Sequence, residues 1–143
     1  MAVVACPQCG KKNRVPKARA GVPQCAVCHA PLPWLVDAAE DEFDEVVGSA
    51  SLPVLVDVWA PWCAPCKVME PLIQEVARNL AGRIKVVKVN ADDAPRLSDR
   101  FGVRGIPTML LLDQGRVVDR RVGALPREAL RQWVDQAIAR AAA

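Results

Sequence analysis

No apolar run in this 143-residue chain approaches the ~20 residues that a membrane span requires, although 52% of its residues are apolar. Its start, MAVVACPQCGKKNR, lacks the charged beginning, apolar stretch and small-residue cleavage site of a secretory signal. We therefore expect a cytoplasmic protein, and in that compartment stable disulfides are rare and Cys-x-x-Cys points to metal or catalysis. Acid is missing from the first 36 residues, where Lys11, Lys12, Arg14, Lys17 and Arg19 stand unopposed. The remainder holds fourteen basic and sixteen acidic residues. A total of +3 is too modest to argue for nucleic acid. The shift in composition marks a boundary, which Pro31, Pro33 and Asp37 place near residues 31–37. Apart from the cysteine pairs there is no internal repeat, and the only low-complexity segment is the Ala-Ala-Ala tail. We expect one ordinary domain over 37–140, preceded by a small module over 1–33.

From Asp37 onward the elements alternate. AAEDEFDEVVGS reads as a short amphipathic helix, and LPVLVDVWA as a buried strand. Residues 64–81 repeat Val68, Leu72, Ile73, Val76 and Leu80 at helical spacing, with Gly82 as a C-cap and Pro71 expected to kink the helix. IKVVKVNAD is a second strand, APRLSDRFGV a short helix, and PTMLLLDQGRVVDRRVG a hairpin turning at Asp113–Gly115. Pro126 to Arg140 closes the chain as a helix, and a weak strand near 34–36 would precede the first helix. The fold class is α/β, with a mixed sheet covered by helices on both faces.

Six cysteines form three pairs: Cys6/Cys9, Cys25/Cys28 and Cys63/Cys66. The first two, fifteen residues apart, have the spacing of a two-knuckle structural zinc site, which we read as a small zinc-ribbon-like module. Four thiolates at about 2.3 Å close a tetrahedron and leave no open position. So short a segment, with few large apolar side chains, needs the free energy of metal binding to stay folded. The five basic residues would offset the −2 charge of zinc with four thiolates, and Gly10 suits a knuckle turn. Two disulfides, or a cluster that releases zinc on oxidation, are the competing readings. His29 could replace a ligand, but we read it as a surface histidine.

Cys63 differs because it falls between a buried strand and the first turn of a helix. A thiolate there meets free backbone N–H groups and the positive end of the helix dipole, which lower its pKa. Cys66 lies one turn further on, within reach of a mixed disulfide formed at Cys63. Pro65 fits the first turn, Trp59 and Trp62 add apolar surface, and Lys67 adds a cation. Half of a metal site is the alternative, but no second ligand pair follows in this domain.

DVWAPWCAPCK closely resembles the active-site segment of thioredoxins, usually WCGPCK. The likeness continues through VVKVNAD, FGVRGIPTMLLL, the hairpin glycine and VGAL, and covers residues 37–140. With its N-terminal module, the chain is similar to zinc-containing bacterial thioredoxins of the thioredoxin 2 type. The resemblance implies that Cys63 attacks and Cys66, buried, resolves. It implies that Asp57 is a buried acid of raised pKa, a proton shuttle for Cys66, and that Lys88 pairs with it. A strand-end acid and a solvated lysine are the plainer alternatives. Pro107 matches the family's cis-proline, with Ile106 offering backbone hydrogen bonds to an extended substrate. Trp62, Ala64, Pro65, Gly105 and Gly123 would complete the docking surface, Gly123 being equally readable as a turn glycine.

Ala64-Pro65 offers neither charge nor polar hydrogen, unlike the histidine common in oxidising relatives. This places the dithiol nearer roughly −270 mV than about −120 mV, a donor of electrons. Ala64, in place of the usual glycine, is expected to alter partner preference and puts the fit to a reductase in question. The function we expect is protein-disulfide reduction by a monomer. No cofactor motif occurs in the chain, so electrons would come from an NADPH-dependent thioredoxin reductase, by family resemblance. A nucleic-acid-binding module is the second reading, weakened by the lack of interleaved aromatics. A holdase or sensor whose zinc site opens under oxidant is the third.

Overall fold

The structure, a computed structural model, describes residues 2–142. The range 1–33 expected for the first module thus begins one residue outside it. Ala2–Ala5 (β1) and Lys12–Val15 (β2) pair antiparallel, Ala2 opposite Val15 and Ala5 opposite Lys12. This hairpin was not among the expected elements. Its second strand alternates, with Lys12 and Arg14 outward and Asn13 and Val15 buried.

The main body follows the expected alternation. Leu35–Asp37 is β3, Phe43–Gly48 α1, Val54–Trp59 β4, Ala64–Asn79 α2 and Lys85–Asn90 β5. After a 3-10 turn at Ala91–Asp93 come α3 (Pro95–Arg100), β6 (Thr108–Asp113), β7 (Arg116–Val122) and α4 (Arg127–Ala142). The sheet runs in the order β3-β5-β4-β6-β7; β3, β5 and β4 are parallel, and β6 and β7 antiparallel to their neighbours. The hairpin turns at Gln114 and Gly115, whose φ of 50° and 81° suit the twist of the flanking strands. Helix α2 runs through Pro71 from Ala64 to Asn79.

Period-two alternation divides the sheet between two cores. Leu55, Val86, Met109 and Leu111 pack with Met69 and Ile73 of α2 and with Leu130, Trp133 and Val134 of α4. Val54, Val56, Val58, Val87 and Leu110 pack on the other face with Phe43, Val46 and Val47 of α1. The N-terminal segment completes this second core: Cys6, Val15, Cys25, Leu32 and Trp34 belong to the same cluster. Gly82, at φ 85°, lets that segment cross the end of α2, because a Cβ there would sit 3.0 Å from Pro31 Cβ.

One charge lies inside this junction. Lys85 is fully buried, and its Nζ donates to the carbonyls of Lys17 and Val46 while lying 4.3 Å from the Trp34 ring centroid. Two carbonyls and a ring face are good surroundings for an ammonium. Burial still lowers its pKa, to about 8. Among the described residues, no helix is long and apolar enough to cross a membrane.

Candidate active site and metal centre

Strand β4 ends at Trp59 and delivers the chain to the N-terminus of the 16-residue helix α2. Cys63 is its N-cap, extended at ψ 107°, and its Sγ accepts from the Cys66 amide at 3.2 Å. The two cysteines are joined as a disulfide with Cα atoms 5.3 Å apart. Both are buried, at 3% and 5% exposure, in a small cluster with Ala60, against Trp59 and Ile106. In this oxidised form burial does not separate the outer sulfur from the inner one. Position along the chain does: the Cys63 sulfur caps the helix and accepts the Cys66 amide, while Cys66 lies inside the first turn.

Four of the expected docking positions converge here. The Ile106–Pro107 peptide is cis, and Ile106 packs on the disulfide. Thr108 Oγ1 donates to the Gly105 carbonyl at 2.5 Å, and the Gly123 amide donates to the Pro107 carbonyl at 2.8 Å. Gly123 has φ 93° with open space around it, so its backbone conformation, not crowding, calls for glycine. Gly105 is different, since a Cβ there would lie 3.3 Å from Val122 Cγ1. Trp62, 69% exposed, donates from Nε1 to both Asp92 carboxylate oxygens at 3.0 and 3.1 Å. Ala64 and Pro65 are exposed beside it. Asp92, which steadies this indole, carried no motif in the sequence.

Asp57 shares the parity of Leu55 on β4 and so faces the α2 side, 3% exposed. Its Oδ1 is buried without a hydrogen-bond partner. Burial raises its pKa from 3.8 to about 7, Lys88 pulls it down, and Glu70 pushes it up. Lys88, which the resemblance pairs with Asp57, stands opposite it in the strand register. Its ion pair, however, is with Glu70 of α2, and its ammonium stands 4.6 Å from the Trp59 ring centroid. Glu70 was missed because a glutamate on an amphipathic helix reads as solvated. Its one clue was its i+4 spacing from Cys66, which puts the two on one face.

The Asp57 shift bears on stability. A carboxyl whose folded pKa is raised contributes stability that is fully present below about 3.8 and lost as pH rises through about 7. At roughly 1.36 kcal/mol per pH unit, the ionised form costs on the order of 4 kcal/mol at pH 8. Urea unfolding of the oxidised protein should show Asp57→Asn more stable than wild type by about that much at pH 8, the gap closing toward pH 4. An equal gap at both pH values would mean that ionisation of Asp57 is not its cause.

The other four cysteines also meet. Their sulfurs all lie within 4.8 Å of one another, with Cys6–Cys28 and Cys9–Cys25 both at 3.5 Å. A tetrahedron with bonds of about 2.3 Å has edges near 3.8 Å, so the cluster fits a four-thiolate metal ion. The two knuckles are built alike. Gly10 (φ 79°) and His29 (φ 66°) follow the second cysteine of each pair, and each donates its amide to the first cysteine's carbonyl at 2.9 Å. His29 is therefore the turn residue equivalent to Gly10 and is not in the sulfur cluster. Amides of Cys28 and Val27 with the Asn13 side chain lower the Cys25 thiol to about 6, against its desolvation. Asn13 also donates to the Lys11 carbonyl and accepts from the Ala26 amide, tying β2 to the second knuckle. Nothing in the local sequence marked it.

The sequence that builds this site has relatives. The thioredoxin family model matches residues 34–136. A thioredoxin of Haemophilus influenzae is 46% identical over 97 residues, 68% of this chain and 91% of that protein. Thioredoxin C-3 of Corynebacterium nephridii is 40% identical over 137 residues, 94% of either chain, so the similarity includes the N-terminal module. A buried Cys-x-x-Cys disulfide capping a helix against the residue that precedes a cis-proline, together with these relatives, makes this protein a thiol-disulfide oxidoreductase, a protein-disulfide reductase, and it belongs to the thioredoxin family.

Proposed function

We propose that Cys63 is the attacking thiol and Cys66 the resolving thiol, with Asp57 taking the proton of Cys66 under the influence of Lys88. The observation that carries this is the Cys63 sulfur at the helix N-terminus, bonded to the Cys66 amide. The Cys63 thiolate attacks a substrate disulfide, forming a mixed disulfide and expelling one substrate thiolate, which is protonated. Asp57, ionised above about pH 7, accepts the Cys66 proton. The Cys66 sulfur then attacks the Cys63 sulfur, the second substrate thiolate leaves, and the Cys63–Cys66 bond holds the two-electron oxidation. Two electrons from NADPH, passed through a thioredoxin reductase, restore the dithiol. Trp62, Ala64, Pro65, Gly105, Ile106, Pro107 and Gly123 form the surface on which an extended substrate segment docks.

Residues 1–33 act as a zinc-binding module and residues 37–140 as the thioredoxin domain. Cys6, Cys9, Cys25 and Cys28 would hold zinc, in keeping with the sulfur spacing. With all four positions filled by thiolate, bound zinc supplies folding free energy. The protein acts as a monomer in the cytoplasm, a setting in which the four thiols bind metal instead of pairing as disulfides. The test is NADPH oxidation with a thioredoxin reductase and insulin as disulfide substrate. Catalytic turnover supports the reading. Insulin reduction that dithiothreitol drives but NADPH and the reductase do not would remove this reductase as the electron source and leave the dithiol chemistry standing.

A further inference from the structure

We propose that Glu70 is a positioning residue for the reductive half-reaction: it holds the Lys88 ammonium on α2 and so keeps that charge from neutralising the buried Asp57 carboxyl. The inference rests on the reading of Asp57 as the group that takes the Cys66 proton.

Glu70 follows Cys66 by four residues, on one face of α2, and Asp57 points to the sheet face that α2 covers. Lys88 has two acids to choose between. In the strand register it stands opposite Asp57, yet its ammonium bonds Glu70 Oε2, and Asp57 Oδ1 has no partner. The pair is sheltered on the lysine side, where Lys88 is 11% exposed and faces the Trp59 ring, while the Glu70 side chain is 34% exposed. Gln74 Nε2 donates to Glu70 Oε1 at 3.2 Å, which fixes the carboxylate toward the lysine.

The remaining charges around this group do not compete for Asp57. On β3 the residue opposite Lys88 is Asp37, which is exposed; on β6 the residue opposite Asp57 is the apolar Met109. The cleft beyond Lys88 is lined by Lys17, Glu40, Glu42 and Asp93. Of these, Lys17 and Glu42 pair with each other, and Glu40 accepts from the amides of Arg96 and Leu97. Glu70 therefore opposes ionisation of Asp57 in two ways: by its own negative charge, and by occupying the nearest cation. Burial is the main cause of the raised Asp57 proton affinity, and Glu70 adds to it, toward the range where a base exchanges protons most readily with a thiol.

The experiment is a carbon-13 NMR titration of the Asp57 carboxyl in the reduced, zinc-loaded full chain, run beside the pH profile of insulin reduction. Glu70→Ala frees Lys88 and removes the charge, so the Asp57 midpoint should fall by about one pH unit. Glu70→Gln keeps a hydrogen-bond acceptor for Lys88 and removes only the charge, so its fall should be smaller. Glu75→Gln removes another charge from α2, the one paired with Arg127 of α4, and should leave the midpoint in place. A midpoint unmoved or raised in Glu70→Ala would overturn the proposal, whatever happens to stability. A lowered midpoint with an unchanged pH profile of reduction would uphold the positioning by Glu70 and instead remove Asp57 from the proton-transfer step.

Discussion

Cys63→Ser should lower insulin reduction by at least about 10³-fold, the scale expected when a covalent mechanism loses its nucleophile. Its hydroxyl, although held in the same N-cap position, does not ionise near neutral pH, so the helix amides have no anion to stabilise. Cys66→Ser should be just as inactive in turnover but for a different reason. Attack remains possible, and the chain should accumulate as a one-to-one mixed disulfide with its substrate, visible as a mass adduct removed by dithiothreitol. No adduct should form with Cys63→Ser. The reverse pattern, adducts with Cys63→Ser and none with Cys66→Ser, would exchange the two roles. Activity retained in both would move the chemistry to another pair. The N-terminal sulfurs offer no such position, because they face one another across a cluster.

Removing residues 1–33 should lower the unfolding free energy of what remains by on the order of 3–6 kcal/mol, a large part of a typical domain's 5–15. None of the residues assigned to catalysis lies in the module, which would leave its removal without consequence for the chemistry. The packing says otherwise for stability. Trp34 is fully buried, and its Nε1 donates to the Pro16 carbonyl at 3.0 Å. Truncation exposes that indole, strips Val15 and Leu32 from the core shared with Phe43 and Val46, and takes away one acceptor of the Lys85 ammonium. The urea midpoint of a chain beginning at residue 34 should fall accordingly. Catalysis per folded molecule should survive, because the site lies at the start of α2. A loss below about 1 kcal/mol would show that the module is merely attached, and a fully active but much less stable chain would fix its role as structural cover.

The two lysines of β5 show what could and could not be read. VVKVN marked a buried strand, and of the two lysines in IKVVKVN only Lys88 was singled out, by resemblance, while Lys85 carried no signal. Their odd separation of three residues sends them to opposite faces: Lys88 to the α2 side with Glu70 and Asp57, Lys85 into the junction beneath Trp34. A period-two pattern specifies that faces alternate but not what covers each one. The cover came from residues far along the chain, Lys17 and Val46 for Lys85 and Glu70 for Lys88. The same reasoning explains Asn13 and Asp92, ordinary polar residues that matter only through partners across the fold.

Chemistry that depends on neighbours in sequence was legible from the start. A cysteine between a strand and a helix, a second one turn later and a proline in the first turn specify a capped, reactive pair. Two Cys-x-x-Cys knuckles likewise specify a four-sulfur cluster, since each knuckle is closed by its own backbone amides. The order of elements along the chain, and hence an α/β fold with a sheet covered by helices on both faces, followed from apolar runs and turn residues, whereas the order of strands within the sheet came from the structure. Tertiary structure alone decided which carboxylate holds Lys88, that Lys85 is buried, and that the N-terminal segment is part of the core. Electrostatic partners and burial arise from contacts between distant segments, and local pattern carries no record of them.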